Sequence, residues 1–448
     1  MKSLASLVDA LKAKDAGFWV CVAAATTAAV GVATYYVRKS YEIYVPIQYQ
    51  YRPGTISGWL ANALAKHSKS RRKKRPVRVY LDGCFDMMHY GHANALRQAK
   101  AVGDELVVGL VTDAEILRCK GPPVMNEEER YTLVEAVKWV DEILRGVPYD
   151  LNPEFVHELF TKHRIDYIIH GDDPCLLPDG SDAYAHAKKL GRFKMVKRTE
   201  GVSTTDIVGR MLTCSRVNHF ISDDEPHPLA KSFSQGTPRE ESGGEASSSD
   251  ASTRTTLSKF LPTSRRLVQF SNGRVAPEGA RIVYIDGAFD CFHPGHVKIL
   301  KAAKAQGDFL LVGLHTDEEV QARRGPHLPI MNLHERSLSV LSCKYVDEVI
   351  IGSPCVMTDD LIKTFNISVV VRGSVSETSL LGPVEEERYS VPRGAGIFRE
   401  LVSPSDVTAR NIIHRIVDKR TAFEERNARK VKGEEAYYTG AKTYVQEL

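Results

Sequence analysis

Two histidines stand three residues apart with a glycine between them, His89, Gly91 and His92, and the same spacing returns as His293, Gly295 and His296. Each group follows a short β-branched run closed by Asp-Gly and precedes an apolar-periodic stretch. It therefore falls on the turn from a strand into a helix. The first residues of a helix carry N–H groups without intrahelical partners and a partial positive charge, which suits a phosphate. Gly91 has no Cβ, so the backbone can approach that phosphate closely. His89 and His92 can face one triphosphate together and donate to oxygens whose charge grows in a transition state. A lone His-x-Gly-His would read equally well as a helix cap or a core hydrogen bond. Two copies in the same strand–turn–helix setting point to phosphate binding.

The elements that position these residues are themselves duplicated. Residues 78–113 read RVYLDGCFDMMHYGHANALRQAKAVGDELVVGLVTD and residues 282–317 read IVYIDGAFDCFHPGHVKILKAAKAQGDFLLVGLHTD. Asp82, Gly83, Phe85 and Asp86 recur as Asp286, Gly287, Phe289 and Asp290, an offset of 204. Met125-Asn126, Glu129-Arg130 and Val140-Asp141-Glu142 recur 206 residues on. Within a copy, VRVYLDG, ELVVGLVTD and IDYIIHG read as strands. HANALRQAKAVG, closing at Gly103, and ERYTLVEAVKWV read as helices. Strands alternating with helices of this length predict βαβ units, a parallel sheet and the α/β class. Ligands in such sheets sit at the carboxyl ends of the strands, where the histidine motifs fall.

The chain of 448 residues has 43% hydrophobic and 26% charged side chains, an ordinary globular balance. A net charge of +4 is too mild to argue for nucleic acid. Eight cysteines without a Cys-x-x-Cys pair support neither a zinc site nor a disulfide framework, and a reducing compartment follows. One segment departs from these averages. Gly17–Val37 holds no charge over 21 residues, enough to cross a bilayer core, with Trp19 near one end and Tyr35 and Tyr36 at the other. It predicts a transmembrane anchor; a buried Ala-rich helix and a cleaved signal peptide are the rival readings. The basic run Arg71–Arg75 outweighs Lys2, Lys12 and Lys14, which places the body on the cytosolic side, at the endoplasmic reticulum or the mitochondrial outer membrane. The expected plan is an anchor over 17–37, a catalytic domain over 76–214, a linker over 215–276, a second domain over 277–430 and a tail over 431–448. The linker is Ser/Gly/Glu-rich and nearly free of aliphatics, so it predicts a flexible tether whose hydroxyls are open to phosphorylation. The charged run after residue 418 predicts a solvent-facing helix leaving the second copy.

Taken together, DGCFD with HYGH, the Lys120 loop CKGPPVMNEEER, KWVDEI and RTEGVSTTDIVGRM resemble the cytidylyltransferases of phospholipid head-group synthesis, over about residues 77 to 430. The His-x-Gly-His motif alone is shared with adenylyltransferases and class I aminoacyl-tRNA synthetases; the RTEGVSTT block narrows it. The resemblance implies two tandem Rossmann-like nucleotidyltransferase domains. It also implies that His89 and His92 hold the CTP phosphates. Lys120 would bridge the α-phosphate and the incoming phosphate, and Arg198 would clamp the β- and γ-phosphates as a fork. Ser203, Thr204 and Thr205 would donate to the same oxygens, with backbone contacts to the nucleotide from Gly83, Cys84 and Phe85. Asp86 would order the first histidine or a metal. Asn126, Glu129 and Arg130 begin a helix at a subunit contact or below the site. Mg²⁺ would ride on the CTP triphosphate, and the phosphomonoester is itself the nucleophile, so positioning and charge stabilisation suffice.

The amine is read from what surrounds it. The choline enzymes of this family carry a Trp after the proline of the segment matching Val147-Pro148-Tyr149, and an aromatic near Asp173-Pro174-Cys175. Here Tyr149 keeps one ring and Cys175 loses the other. The run His170-Gly171-Asp172-Asp173 supplies two carboxylates that suit a primary ammonium, so phosphoethanolamine is the expected substrate. Phosphocholine is the rival within the family, and an inactive CTP-binding membrane regulator the rival outside it. In the second copy Arg324 stands where Lys120 would match, and FRELVSPSD replaces RTEGVSTTD. That half is expected to bind CTP through Ala288, Phe289, His293, His296, Arg372, Ser403, Pro404, Ser405 and Asp406, with Arg426–Lys430 closing over the phosphates. Turnover is expected in the first half. A homodimer is one expected assembly, and pairing of the two halves as a pseudo-dimer another.

Overall fold

The computed structural model describes residues 75–172, 175, 177, 180–221, 261–375 and 385–437. The expected anchor over 17–37 and Asp173 lie outside the described residues. Among the described residues no helix is long and apolar enough to cross a membrane.

The first domain runs β1 (Arg78–Gly83), α1 (Tyr90–Val102), β2 (Glu105–Val111), α2 (Asp113–Cys119), α3 (Glu127–Glu135), β3 (Glu142–Val147), α4 (Pro153–Thr161), β4 (Tyr167–Gly171), α5 (Ala185–Lys189), β5 (Phe193–Val196) and α6 (Thr204–Ile221). Then come α7 (Leu261–Phe270) and the second domain. It comprises β6 (Ile282–Gly287), α8 (Pro294–Lys304), β7 (Phe309–Leu314), α9 (Asp317–Arg324), α10 (Leu333–Leu341), β8 (Glu348–Ile351), α11 (Asp359–Thr364), β9 (Ile367–Gly373), α12 (Glu385–Arg388), α13 (Ser390–Gly394), β10 (Phe398–Leu401), α14 (Ala409–Asp418) and α15 (Arg420–Tyr437).

Each sheet is wholly parallel, in the order β3-β2-β1-β4-β5 and, identically, β8-β7-β6-β9-β10. The central strands are buried on both faces; six of the seven residues of β2 are inaccessible, as its unbroken ELVVGLV run requires. The order reverses between β1 and β4, which opens a crevice beyond their carboxyl ends. Asp82 and Gly83 end one strand and His170 and Gly171 the other.

The expected α/β repeat is present with more elements than the sequence indicates. The strands β3 and β5 are short edge strands, and β3 buries only Val147 fully, so neither leaves an apolar run to read. The helix expected over ERYTLVEAVKWV stops at Glu135. Val137 instead pairs antiparallel with Cys343, and Lys138 N–H donates to Ser342 O at 3.0 Å while Lys344 N–H donates to Ala136 O at 2.7 Å. Val137 and Cys343 are counterparts in the two copies. A pseudo-two-fold axis therefore passes between them, and the halves pair inside one chain.

The linker expected over 215–276 gives way at both ends. Helix α6 continues to Ile221, and α7 is folded from Leu261. Phe270 is fully buried with its ring edge-on to Trp139 at 5.0 Å. Lys138 donates to Phe270 O and Asn272 Oδ1, which fastens this segment beside the Val137–Cys343 pairing. Helix α15 is present as expected, but its course corrects the reading of a helix that leaves into solvent. Phe423 is 1% exposed, and Asn427 donates to Thr205 O of the first domain at 3.3 Å.

Candidate active site

His89 caps α1: Gly91 N–H donates to His89 Nδ1 at 3.1 Å, and His89 N–H donates to His92 Nδ1 at 3.4 Å. An imidazole nitrogen that accepts carries no proton, so this network assigns both ring protons to Nε2. Burial, with His92, Lys430 and Arg198 nearby, holds His89 well below the usual histidine range. At neutral pH it is therefore an uncharged N–H donor. The two rings stack at 4.0 Å. Gly91 is demanded by space, because a Cβ there would lie 2.8 Å from the His89 ring and 2.9 Å from Val202.

These groups wall a cavity of about 90 Å³ with Gly91, Arg198, Ser203 and Thr204. Helix α1 holds the RTEG segment against it: Asn94 donates to Thr199 Oγ1 at 2.9 Å and Gln98 to Lys197 O at 3.0 Å. Ser203 Oγ accepts Asp206 N–H, capping α6, and Thr204 donates to Asp86 O. The amino ends of α1 and α6 thus converge on one space lined with N–H and O–H donors, a phosphate cradle.

A neighbouring cavity of about 310 Å³ shares His92, Thr204 and Lys430 with the first. Gly83, Cys84, Phe85, Lys120, Thr205 and Tyr149 belong to its wall. Lys120 Nζ lies 5.4 Å from the Tyr149 ring centre, and Arg130, fully buried, donates to Cys84 O at 2.7 Å, bracing the DGCFD turn. At the floor is Asp82, 4% exposed, which accepts from Tyr184 Oη at 2.5 Å. Burial pushes its carboxyl up to about 6, although the Tyr184 bond favours the charged form. The His170 ring packs on Tyr184 at 4.3 Å and completes this corner.

Several expected roles change. Asp86 borders the larger cavity, but its carboxylate accepts Val124 and Met125 N–H at 3.0–3.1 Å and pairs with Arg426. It fastens the Lys120 loop, and none of these partners is a histidine. Asp172 is buried with Oδ1 on Arg198 N–H at 3.0 Å, so it positions the RTEG segment. The carboxylate that does face the cavity is Asp82. Its sign in the sequence was the repeated Asp-Gly at the strand end; Tyr184 lies in no motif. Cys175 is outside the wall, against the apolar cluster of Val111, Ile116, Val147 and Tyr149.

In the second copy, His293 and His296 stack at 3.7 Å beside Phe289. Burial and the nearby Arg324 and Arg415 bring His293 down to about 3. Ala288 O accepts from Arg336 just as Cys84 O accepts from Arg130 in the first copy, while Arg372 faces Glu400 at 3.7 Å. Ser403 Oγ accepts Val375 N–H and Ser405 Oγ accepts Val407 N–H, while Pro404 and Asp406 are exposed. The counterpart of the Asp82 corner is filled. Arg388 donates to Asp286 Oδ2 at 3.3 Å and to Cys355 O at 3.1 Å, where the first copy has Asp82 and Tyr149. The stretch Arg426–Lys430 is also corrected. It closes over the first domain's cavity, not its own, because α15 crosses the pseudo-two-fold contact.

Residues 80–210 and 284–418 each match the family model described as Cytidylyltransferase-like. An ethanolamine-phosphate cytidylyltransferase of Arabidopsis thaliana is 58% identical over 82% of this chain and 86% of its own length. A protein of the same name from Mus musculus is 42% identical over 85% of this chain and 95% of its own. Choline-phosphate cytidylyltransferase A of Rattus norvegicus is 46% identical over 31% of this chain and 37% of its own.

Proposed function

The chain belongs to the cytidylyltransferase-like family, and from that premise we propose that it transfers the cytidylyl group of CTP to phosphoethanolamine, giving CDP-ethanolamine and pyrophosphate in phospholipid synthesis. The observation that carries the substrate is Asp82: a buried carboxylate at the floor of a cavity that adjoins the phosphate cradle of His89 and His92. An ammonium on Asp82 directs the phosphate of the same small molecule toward Lys120. A phosphate oxygen then attacks the α-phosphorus, the bond from that phosphorus to the bridging oxygen breaks, and pyrophosphate leaves. The Nε2–H groups of His89 and His92 and the Arg198 guanidinium donate to the oxygens where charge accumulates. Both nucleophile and leaving group are phosphates, so no enzyme-bound intermediate is formed.

CTP enters as its magnesium complex. Asp86 in the wall is engaged by the Lys120 loop and Arg426, and Asp82 by Tyr184; the rest offers N–H, O–H and cationic groups, a donor set for phosphate oxygens, so the metal would ride on the substrate. The uncharged run 17–37 supports an anchor that leaves the catalytic body facing cytosolic CTP, on the endoplasmic reticulum or the mitochondrial outer membrane. Turnover belongs to the first domain. Pyrophosphate release from CTP with phosphoethanolamine, with CDP-ethanolamine identified as the product, tests the reading. A marked preference for phosphocholine would overturn it.

A further inference from the structure

The last helix of the second domain presents Arg426, Asn427 and Lys430, on the helical face that begins at Phe423, to the first domain. Phe423 is buried, and Asn427 binds Thr205 O. Arg426 Nη1 donates to Pro122 O at 2.8 Å and to Asp86 Oδ2 at 3.1 Å. Pro122 follows Lys120 and Gly121, so this guanidinium holds the outer side of the loop whose inner side Asp86 fastens through Val124 and Met125. Lys430, one turn on, belongs to the walls of both cavities, and shares the wall of the smaller one with Arg198.

We propose that α15 completes the catalytic site of the first domain across the pseudo-two-fold contact, with Lys430 as a ligand of the CTP phosphates and Arg426 as a positioning residue for Lys120. This rests on the cytidylyl-transfer reading for its ligand. The second domain, whose own amine corner Arg388 fills, thus contributes to the reaction by supplying one wall of the working site. One ionic contact between an ammonium and a phosphate oxygen, lost without refolding, changes affinity by about tenfold.

The experiment measures CTP binding by calorimetry and steady-state turnover on the full chain, for wild type and for Lys430→Gln, Lys430→Arg, Arg426→Gln and Arg426→Lys. The expected result for Lys430→Gln is a CTP Kd weakened about tenfold. Its KM for phosphoethanolamine and its melting temperature stay at the wild-type values, and Lys430→Arg restores binding. Arg426→Gln lowers kcat about tenfold with CTP Kd changed less than about twofold, and Arg426→Lys recovers part of the loss. Unchanged CTP affinity in a folded Lys430→Gln protein overturns the ligand role, and unchanged kcat in Arg426→Gln overturns the positioning role. Wild type that binds CTP yet releases no pyrophosphate with phosphoethanolamine contradicts the proposed reaction, while the calorimetric comparison still decides the role of Lys430.

Discussion

Arg210 of the first domain grips Glu335 of the second through both terminal nitrogens, at 2.7 and 2.9 Å, and Arg415 grips Glu129 at the same two distances in the opposite direction. Each arginine also reaches a main-chain oxygen, Arg210 that of Ile330 and Arg415 that of Val124. Both glutamates accept their own helix-capping N–H and so sit at the head of the helix that follows the Lys120 loop in the first domain and its counterpart in the second. The contact between domains is therefore built into the loop that carries Lys120, and the duplication acts as an internal dimer.

The two ion pairs differ in burial, which predicts unequal costs. Glu335 is 4% exposed, whereas Glu129 is 12% exposed beside an Arg415 that is 38% exposed. Arg210→Ala strands a buried carboxylate and lowers stability by about 3 kcal/mol, and Arg415→Ala by about 1 kcal/mol. Urea unfolding of the full chain followed by tryptophan fluorescence checks the order; equal losses would contradict it.

Asp82 predicts a trade between stability and binding. Its carboxyl is raised from 3.8 to about 6, so the folded state holds a proton that the unfolded chain has released between those values. Stability therefore falls as pH rises through that window, and the cost, about 3 kcal/mol, is fully present above about pH 6. Asp82→Asn removes the cost and raises the melting temperature at neutral pH. It also raises KM for phosphoethanolamine at least about tenfold, because the ammonium loses its counter-charge. Wild-type kcat/KM falls below about pH 6 as Asp82 protonates, and this limb is shallower in the variant, which keeps only the ionisation of the substrate phosphate. A variant that is no more stable and binds the amine as before would contradict the assignment.

Much of this site is legible in the sequence, for a physical reason. Histidines at the mouth of a parallel sheet need a glycine between them and a strand before them, and that spacing survives as text in both copies. The acidic residues are harder to read, because composition cannot say which way a carboxylate turns. Asp172 and Asp86 look like ligands and spend their oxygens on main-chain N–H groups, while Asp82 looks like part of a turn and faces the cavity. The position of Arg426 was equally hidden. Its partner Asp86 is 340 residues away, and only the pairing of the domains brings them together.

The filled corner of the second domain gives a separate prediction. Arg388 neutralises Asp286, whose side chain is fully buried, and Tyr389 donates to the same carboxylate at 2.5 Å. Arg388→Ala leaves that charge without its cation and costs about 3 kcal/mol, while kcat for cytidylyl transfer stays within about twofold of wild type, because no reacting group is touched. Differential scanning calorimetry beside the pyrophosphate assay checks both halves of the statement. A loss of kcat in a folded variant would place chemistry in the second domain.

The central claim is that transfer to phosphoethanolamine occurs on the histidine pair of the first domain. The most direct measurement is pyrophosphate release from CTP and phosphoethanolamine by the full chain carrying His92→Ala or, separately, His296→Ala. The first substitution removes an Nε2–H donor from the cradle and lowers kcat by a factor of about 100 to 1,000, and the second leaves kcat within about threefold of wild type. A kcat that survives His92→Ala and collapses on His296→Ala would contradict the account.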